Sequence, residues 1–228
     1  MMLKKLGSIL AGFLTKETNT KRAENSYYQV SLDEIKPILK PCDVILIEGK
    51  SRVSKAIQFI TESNWSHAAI FIGKFKNHKN CLIEVKLVDG CIYTDLNYYS
   101  DYNIRVCRPM FLNSLMEKDI LNFYKNKIGV SYDLRNIFDL IRFIYPNPPV
   151  PKRYRRNLIG IGAGSPTKAI CSTLIAKGFE QANHPILPLE RNFEKENLVK
   201  RHHSFCLPKD FDISPFFEII KPRPKKPF

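Results

Sequence analysis

Four short apolar runs, HAAIFIG, CLIEVK, CIYT and IRVCRP, succeed one another between residues 67 and 109, and two segments of helical spacing follow them. A chain that groups strands first and helices afterwards does not alternate them around a parallel sheet. The expected class is therefore α+β, with an antiparallel sheet packed against helices. An earlier strand is expected in LKPCDVILIEGK, a proline-bounded β-rich run. A helix is expected in SRVSKAIQFITES, where Val53, Ile57 and Ile60 share a face. The later helices are expected at about 114–127, carrying Leu115, Ile120, Leu121 and Tyr124, and at about 132–145, carrying Leu134, Ile137, Phe138 and Ile141.

At 228 residues and 44% hydrophobic, the chain has material for one substantial core, expected over residues 30–215. Residues 1–29 read as an amphipathic helix and linker: Leu3, Leu6, Ile9, Leu10, Phe13 and Leu14 fall on one face, with Lys4, Lys5 and Lys16 available for the other. Such a helix lies on a membrane surface or docks on its own domain, and both readings stay open. The apolar part is only roughly eight residues long with no cleavage site after it, so it does not read as a signal peptide, and nothing approaches the ~20 apolar residues of a spanning helix. Residues 216–228 read as a basic, proline-rich tail.

Charge narrows the partners. The 36 Lys and Arg against 22 Asp and Glu leave a formal charge of +14, which attracts polyanions: nucleic acid or an anionic membrane face. Nucleic acid is disfavoured because no RNA- or DNA-binding motif accompanies the basic run KRYRR. The six cysteines are scattered with no CxxC pair, as expected of reduced thiols in the cytoplasm. His202, His203 and Cys206 in HHSFC make half a zinc set with no other half in view, so neither a metal nor a cofactor is expected. Residues 146–167 turn from proline-rich to basic to glycine-rich, which reads as a long surface loop. Its Gly160, Gly162 and Gly164 followed by SPTK lack the spacing of a phosphate loop.

Candidate chemistry begins at NWSHAAIFIG. His67 heads a strand, and the loop GKFKNHKN returns the chain into CLIEVK, so the two strands form a hairpin. With the turn near residues 75 and 76, Glu84 lies opposite His67 or one diagonal step away, close enough for the carboxylate to fix the imidazole tautomer and stabilise its cation. The bland alternative is a solvent-facing glutamate and a structural histidine. In SPTKAICSTLIAKGFEQ, Cys171, Leu174, Ile175 and Gly178 follow helical spacing, which turns the thiol inward. With Thr167 as N-cap the thiol sits near the first turn, where the macrodipole favours thiolate; with Ser165 as cap and Pro166 next, it lies a turn deeper. An ordinary buried cysteine is the alternative here.

LKPCDVILIEG, NWSHAAIFIG, CLIEVK, GVSYDLRNIF and AICSTLIAKGF, in that order between about Leu39 and Leu189, resemble the YiiX/YebB-like branch of the NlpC-type cysteine hydrolases. The resemblance implies a circularly permuted papain-like fold with His67, Glu84 and Cys171 as catalytic residues. It also sets Tyr132, and Trp65 of the Trp-Ser-His block, beside the site as substrate contacts. Cys42 departs from the pattern, because the family's strand usually opens with Pro-Gly-Asp, and the departure puts the turn there in question. The implied activity is that of a thiol hydrolase or acyltransferase acting on an amide, ester or thioester of a small-molecule, peptide or lipid substrate. Permuted relatives that work on lipid acyl groups favour a lipid-linked or membrane-proximal one. A non-catalytic scaffold and a nucleic-acid-binding module on the same fold are the rival readings, and oligomeric state is not legible.

Overall fold

A computed structural model of the chain describes residues 16–17, 31–86, 89–130, 171–192, 197–199 and 202–222. The expected helices at 3–14 and 132–145, the loop 146–167 with its basic residues, the caps Ser165 and Thr167, and Tyr132 lie outside them. A short helix α1 (Leu32–Ile35) is capped by Ser31, whose hydroxyl accepts from the Asp33 N–H at 3.3 Å, and a 3-10 turn at Lys36–Ile38 leads into the sheet. Strand β1 (Val44–Ile47) is followed by helix α2 (Arg52–Thr61), which starts on the Ser51 hydroxyl and stops where Glu62 turns left-handed at φ 52°. Strands β2 (His67–Phe75), β3 (His78–Lys86), β4 (Gly90–Asp95) and β5 (Ile104–Pro109) come next, with a 3-10 turn at Leu96–Tyr99 before the last. Helix α3 (Ser114–Lys125) is capped by Asn113, helix α4 spans Cys171–Gln181, and a short hairpin joins β6 (Glu190–Asn192) to β7 (Asn197–Val199). Helix α5 (Pro208–Asp212) and β8 (Phe217–Ile220) end the described chain.

The six-stranded sheet has the order β4-β3-β2-β1-β5-β8, every neighbouring pair antiparallel, which makes the fold α+β. Strand β1 reads VILI and is buried at every position, because the central strands are covered on both faces. One face carries Val44, Leu46, Ala68, Ile70 and Ile83 against Leu174, Ile175 and Phe179 of α4 and Ile120 and Tyr124 of α3. The other carries Ile45, Ile47, Ala69, Phe71 and Leu82 against Leu32 and Ile35 of α1 and Leu96 and Tyr99 of the 3-10 turn. Helices α3 and α4 meet closely: the Tyr124 hydroxyl donates to the Ile175 carbonyl at 2.5 Å, and Gly178 lies under the same ring, where a Cβ would strike the hydroxyl and Cδ1 of Phe123.

One expectation changes here. The proline-rich tail assigned from residue 216 gives Phe217–Ile220 to the sheet, where they pair with β5 (Val106 opposite Ile220, Pro109 opposite Phe217) and Phe217 is buried. A four-residue edge strand next to Lys- and Pro-rich sequence carries too little pattern to read from composition. The turn before β1 is left-handed at Cys42: that residue takes φ 71°, its N–H donating to the Phe71 carbonyl at 2.8 Å, while the Asp43 carboxylate receives Arg108 Nε at 2.8 Å and the Lys40 N–H at 2.8 Å. The left-handed backbone explains why glycine suits that position.

Candidate active site

The hairpin of β2 and β3 pairs Ala69 with Glu84, so Glu84 stands one diagonal step from His67 on the same face. The turn falls between Phe75 and His78, with register shifts on either side of Gly73, and this sets the diagonal rather than the direct pairing. His67 Nε2 and Glu84 Oε2 are 2.6 Å apart. Glu84 alternates with Ile83 and Val85 as a surface strand residue would, yet it is only 2% exposed, because the Leu96–Tyr99 turn closes over it. The Tyr99 hydroxyl donates to the same Oε2 at 2.5 Å, and Lys86 Nζ stands 3.5 Å from Oε1.

Cys171 approaches from the other side of the sheet. Its helix packs on the face of Ala68 and Ile83, whereas Glu84 belongs with Leu82 and Tyr99 on the opposite face. His67 is the first residue of β2, at the sheet's end, and its imidazole serves both: one nitrogen is held by Glu84, and the charge of the ring acts on the Cys171 thiol. With Nε2 committed to the carboxylate, Nδ1 is left for the thiol. The backbone N–H groups of Ala68 and Ser172 also favour the charged form of that sulfur.

The electrostatics run in one direction. Burial opposes charge on all three groups, but each finds compensation in its neighbours. For Cys171, burial is outweighed by the His67 charge and hydrogen bond and by the two N–H donors, and the thiol pKa falls. For His67, burial is outweighed by the Cys171 thiolate and the Glu84 carboxylate, which raise it to about 10. For Glu84, burial is outweighed by the His67 cation, Lys86 and the Thr94 hydroxyl, and its pKa drops to about 2. The arrangement favours a thiolate–imidazolium pair backed by a carboxylate.

Four other thiols, those of Cys42, Cys81, Cys91 and Cys107, behave oppositely. Burial pushes Cys42 up to about 12 and Cys81 and Cys91 to about 11, and it raises Cys107 further. None of the six cysteines is in a disulfide.

A cleft of about 430 Å³ opens over His67 and Glu84 and is walled by Lys86, Tyr99 and Tyr102. Cys171, 7% exposed, is not among the described residues lining it. Trp65 turns inward instead: its indole N–H donates to Asp212 Oδ2 at 3.0 Å, and Arg105 lies 5.0 Å over its ring while chelating the same carboxylate at 2.6 and 2.7 Å. The residue that sequence reasoning missed is Tyr99, whose one visible signal is the tyrosine density of Tyr98, Tyr99 and Tyr102 after β4. His203 of HHSFC is hydrogen-bonded to Glu180 at 2.7 Å, and among the described residues no group of three His, Cys, Asp or Glu is arranged to hold a metal ion. No described helix is long and apolar enough to cross a membrane.

No family model matches the chain, and no curated protein matches it. Among solved structures it is similar to the crystal structure of the metalloprotein yiiX from Escherichia coli O157:H7, with 18% identity over 81% of this chain and 97% of that one and a TM-score of 0.43. That likeness is a distant one.

Proposed function

We propose that the chain is a cysteine hydrolase or acyltransferase on a circularly permuted papain-like fold, with Cys171 as nucleophile, His67 as general base and acid, and Glu84 as the group that orients and charges His67. The observation that carries this reading is the single imidazole that bridges a thiol driven toward thiolate and a buried carboxylate driven toward ionisation. The Cys171 sulfur attacks the acyl carbonyl carbon, and the developing oxyanion is met by backbone N–H groups at the helix start, that of Cys171 among them. The acyl–heteroatom bond breaks as His67 hands its Nδ1 proton to the departing amine, alcohol or thiol. Water, or another acceptor, gives its proton back to His67 and attacks the thioester, which frees the acyl group and restores the thiolate. Glu84 stays ionised throughout, because its role is to hold Nε2–H and not to take the proton.

The charge of +14 favours substrates at an anionic surface, and a lipid-linked or membrane-proximal acyl group is the class we favour. Labelling the purified protein at pH near 6 with acyl and amide electrophiles, then mapping the modified residue, tests the reading. Cys171 reacts first among the six cysteines, and Cys171→Ala abolishes both labelling and turnover with the far-UV spectrum unchanged. If another cysteine reacts first, or if Cys171 labels no faster in native than in unfolded protein, the chain is a scaffold on this fold.

A further inference from the structure

The cleft contains a second carboxylate that the chemistry above does not use. Glu17 pairs through its backbone with Ser51 as an isolated antiparallel bridge, and the Arg52 N–H donates to the Lys16 carbonyl at 3.4 Å. These contacts lay residues 16 and 17 along the start of α2, and the Glu17 side chain reaches the cleft, where the Tyr102 hydroxyl donates to its Oε1. Lys50 Nζ lies 4.5 Å from the centroid of the same Tyr102 ring, and Lys86 Nζ lies 4.0 Å from that of Tyr98. Glu17, Lys50, Tyr102 and His67 thus face one space.

Glu84 and Glu17 are opposite cases. Glu84 is buried and held by His67, Tyr99 and Lys86. Glu17 is exposed, and an exposed carboxylate already solvated by water gains little from one hydroxyl. What its position marks is chemistry: a phenol donor with an ammonium over its ring, on the wall of the cleft above His67, accepts a carboxylate.

We propose that Tyr102 and Lys50 form an anion subsite of this cleft, that the acyl substrate carries a carboxylate which binds there, and that Glu17 is a built-in competitor for the place. The word "substrate" rests on the hydrolase reading; the subsite itself does not. The competitor is easily displaced, since its described holds are one backbone bridge, one long N–H···O contact and one surface hydroxyl. Substrates with the carboxylate therefore displace it, and neutral ones of equal length do so less well.

The test uses the full chain and three chloroacetamide probes: chloroacetamide itself, a linear chloroacetyl ω-amino acid series with a free carboxylate at the far end, and the same series capped as the neutral amide. In Glu17→Ala the carboxylate-tipped probe of best length labels Cys171 about three- to tenfold faster than in the parent chain, while the amide-tipped probe and chloroacetamide change less than about twofold. Adding Tyr102→Phe or Lys50→Gln removes the gain. Equal acceleration of both long probes makes residues 16 and 17 a mere cover, and no acceleration makes Glu17 a bystander; either overturns the subsite. Calorimetric binding of the corresponding N-acetylated ω-amino acid reads the subsite without the thiol. Tighter binding in Glu17→Ala, lost with Tyr102→Phe, supports it even where chloroacetamide fails to label Cys171 and the hydrolase reading falls. Identical binding in all three proteins refutes it.

Discussion

Replacing Glu84 with glutamine tests the electrostatic core of the site while keeping side-chain volume. In the parent chain the carboxylate Oε2 accepts from His67 at 2.6 Å and from Tyr99 at 2.5 Å, with Lys86 Nζ 3.5 Å from Oε1. Glutamine can offer its carbonyl to the two donors, but its amide N–H₂ then faces the Lys86 ammonium, donor against donor. A hydrogen bond to a charged group contributes ~1.5–3 kcal/mol and a neutral one ~0.5–1.5 kcal/mol, so the imidazolium loses about 1–1.5 kcal/mol of support, close to a tenfold change in its proton affinity. The thiolate depends on that imidazolium, which heads the causes lowering Cys171 against burial, so it weakens in step. The assay is the pH dependence of alkylation by iodoacetamide, with the modified residue mapped by mass. The acid limb of the Cys171 profile moves up by about one pH unit in Glu84→Gln, and the rate on that limb falls about tenfold. A limb that stays in place in a variant with native circular dichroism means that Glu84 does not support the imidazolium, and the reasoning fails.

Glu84 also sets an acid-stability signature. Because its folded pKa is lowered to about 2 from an ordinary value near 4.3, it stabilises the fold at pH above about 4.3, and that contribution is lost as pH falls through about 2, on the order of 3 kcal/mol in all. Urea titrations across that window fall more steeply for the parent chain than for Glu84→Gln, and parallel curves contradict the assignment. Gly178→Ala drives a Cβ into the Tyr124 hydroxyl and Phe123 between α3 and α4, and costs about 1–3 kcal/mol in thermal or urea unfolding; an unchanged midpoint means that the helices are not in this contact. Trp65→Phe removes the indole N–H from Asp212 and costs ~1 kcal/mol of stability with Cys171 labelling within about twofold of the parent. Unchanged stability together with slower acyl turnover returns Trp65 to the role of a substrate contact.

Parts of this molecule were legible because they rest on short-range periodicity. His67 and Glu84 sit on neighbouring strands whose apolar alternation and polar turn can be read directly, and the remaining uncertainty, direct or diagonal, was one step of register decided by the irregularity around Gly73. Cys171 was legible by the same means, as the inward member of a helical stripe with Leu174 and Ile175. Tyr99 was not, since a four-residue 3-10 turn has no period to betray which side chain points inward. The burial of Glu84 was hidden for the same reason, because only that turn distinguishes it from a solvent-facing strand residue. The inward anchoring of Trp65 depends on Asp212, 147 residues away, and no local pattern announces such a partner.

The placement of the three groups explains why their charges can coexist in a buried site. Glu84 lies on the face covered by the Tyr99 turn, Cys171 on the face covered by α4, and the sheet itself separates them, with His67 at its end in contact with both. Two anions on one face, a hydrogen bond apart, would raise each other's pKa and leave one protonated. Divided by the sheet and joined through an imidazolium, each sees the cation more closely than it sees the other anion. Lys86 adds a further positive charge on the Glu84 side, and the Ala68 and Ser172 N–H groups add donors on the Cys171 side. The thiolate therefore leans on the His67 charge, and the same imidazolium is the group through which Glu84 and Cys171 are joined. That division predicts an asymmetry: removing Lys86 weakens Glu84 and reaches the thiol only through His67, so Lys86→Met shifts the acid limb of Cys171 labelling in the same direction as Glu84→Gln but by less. A larger shift in Lys86→Met than in Glu84→Gln places Lys86 beside the thiol directly and refutes the relay through His67.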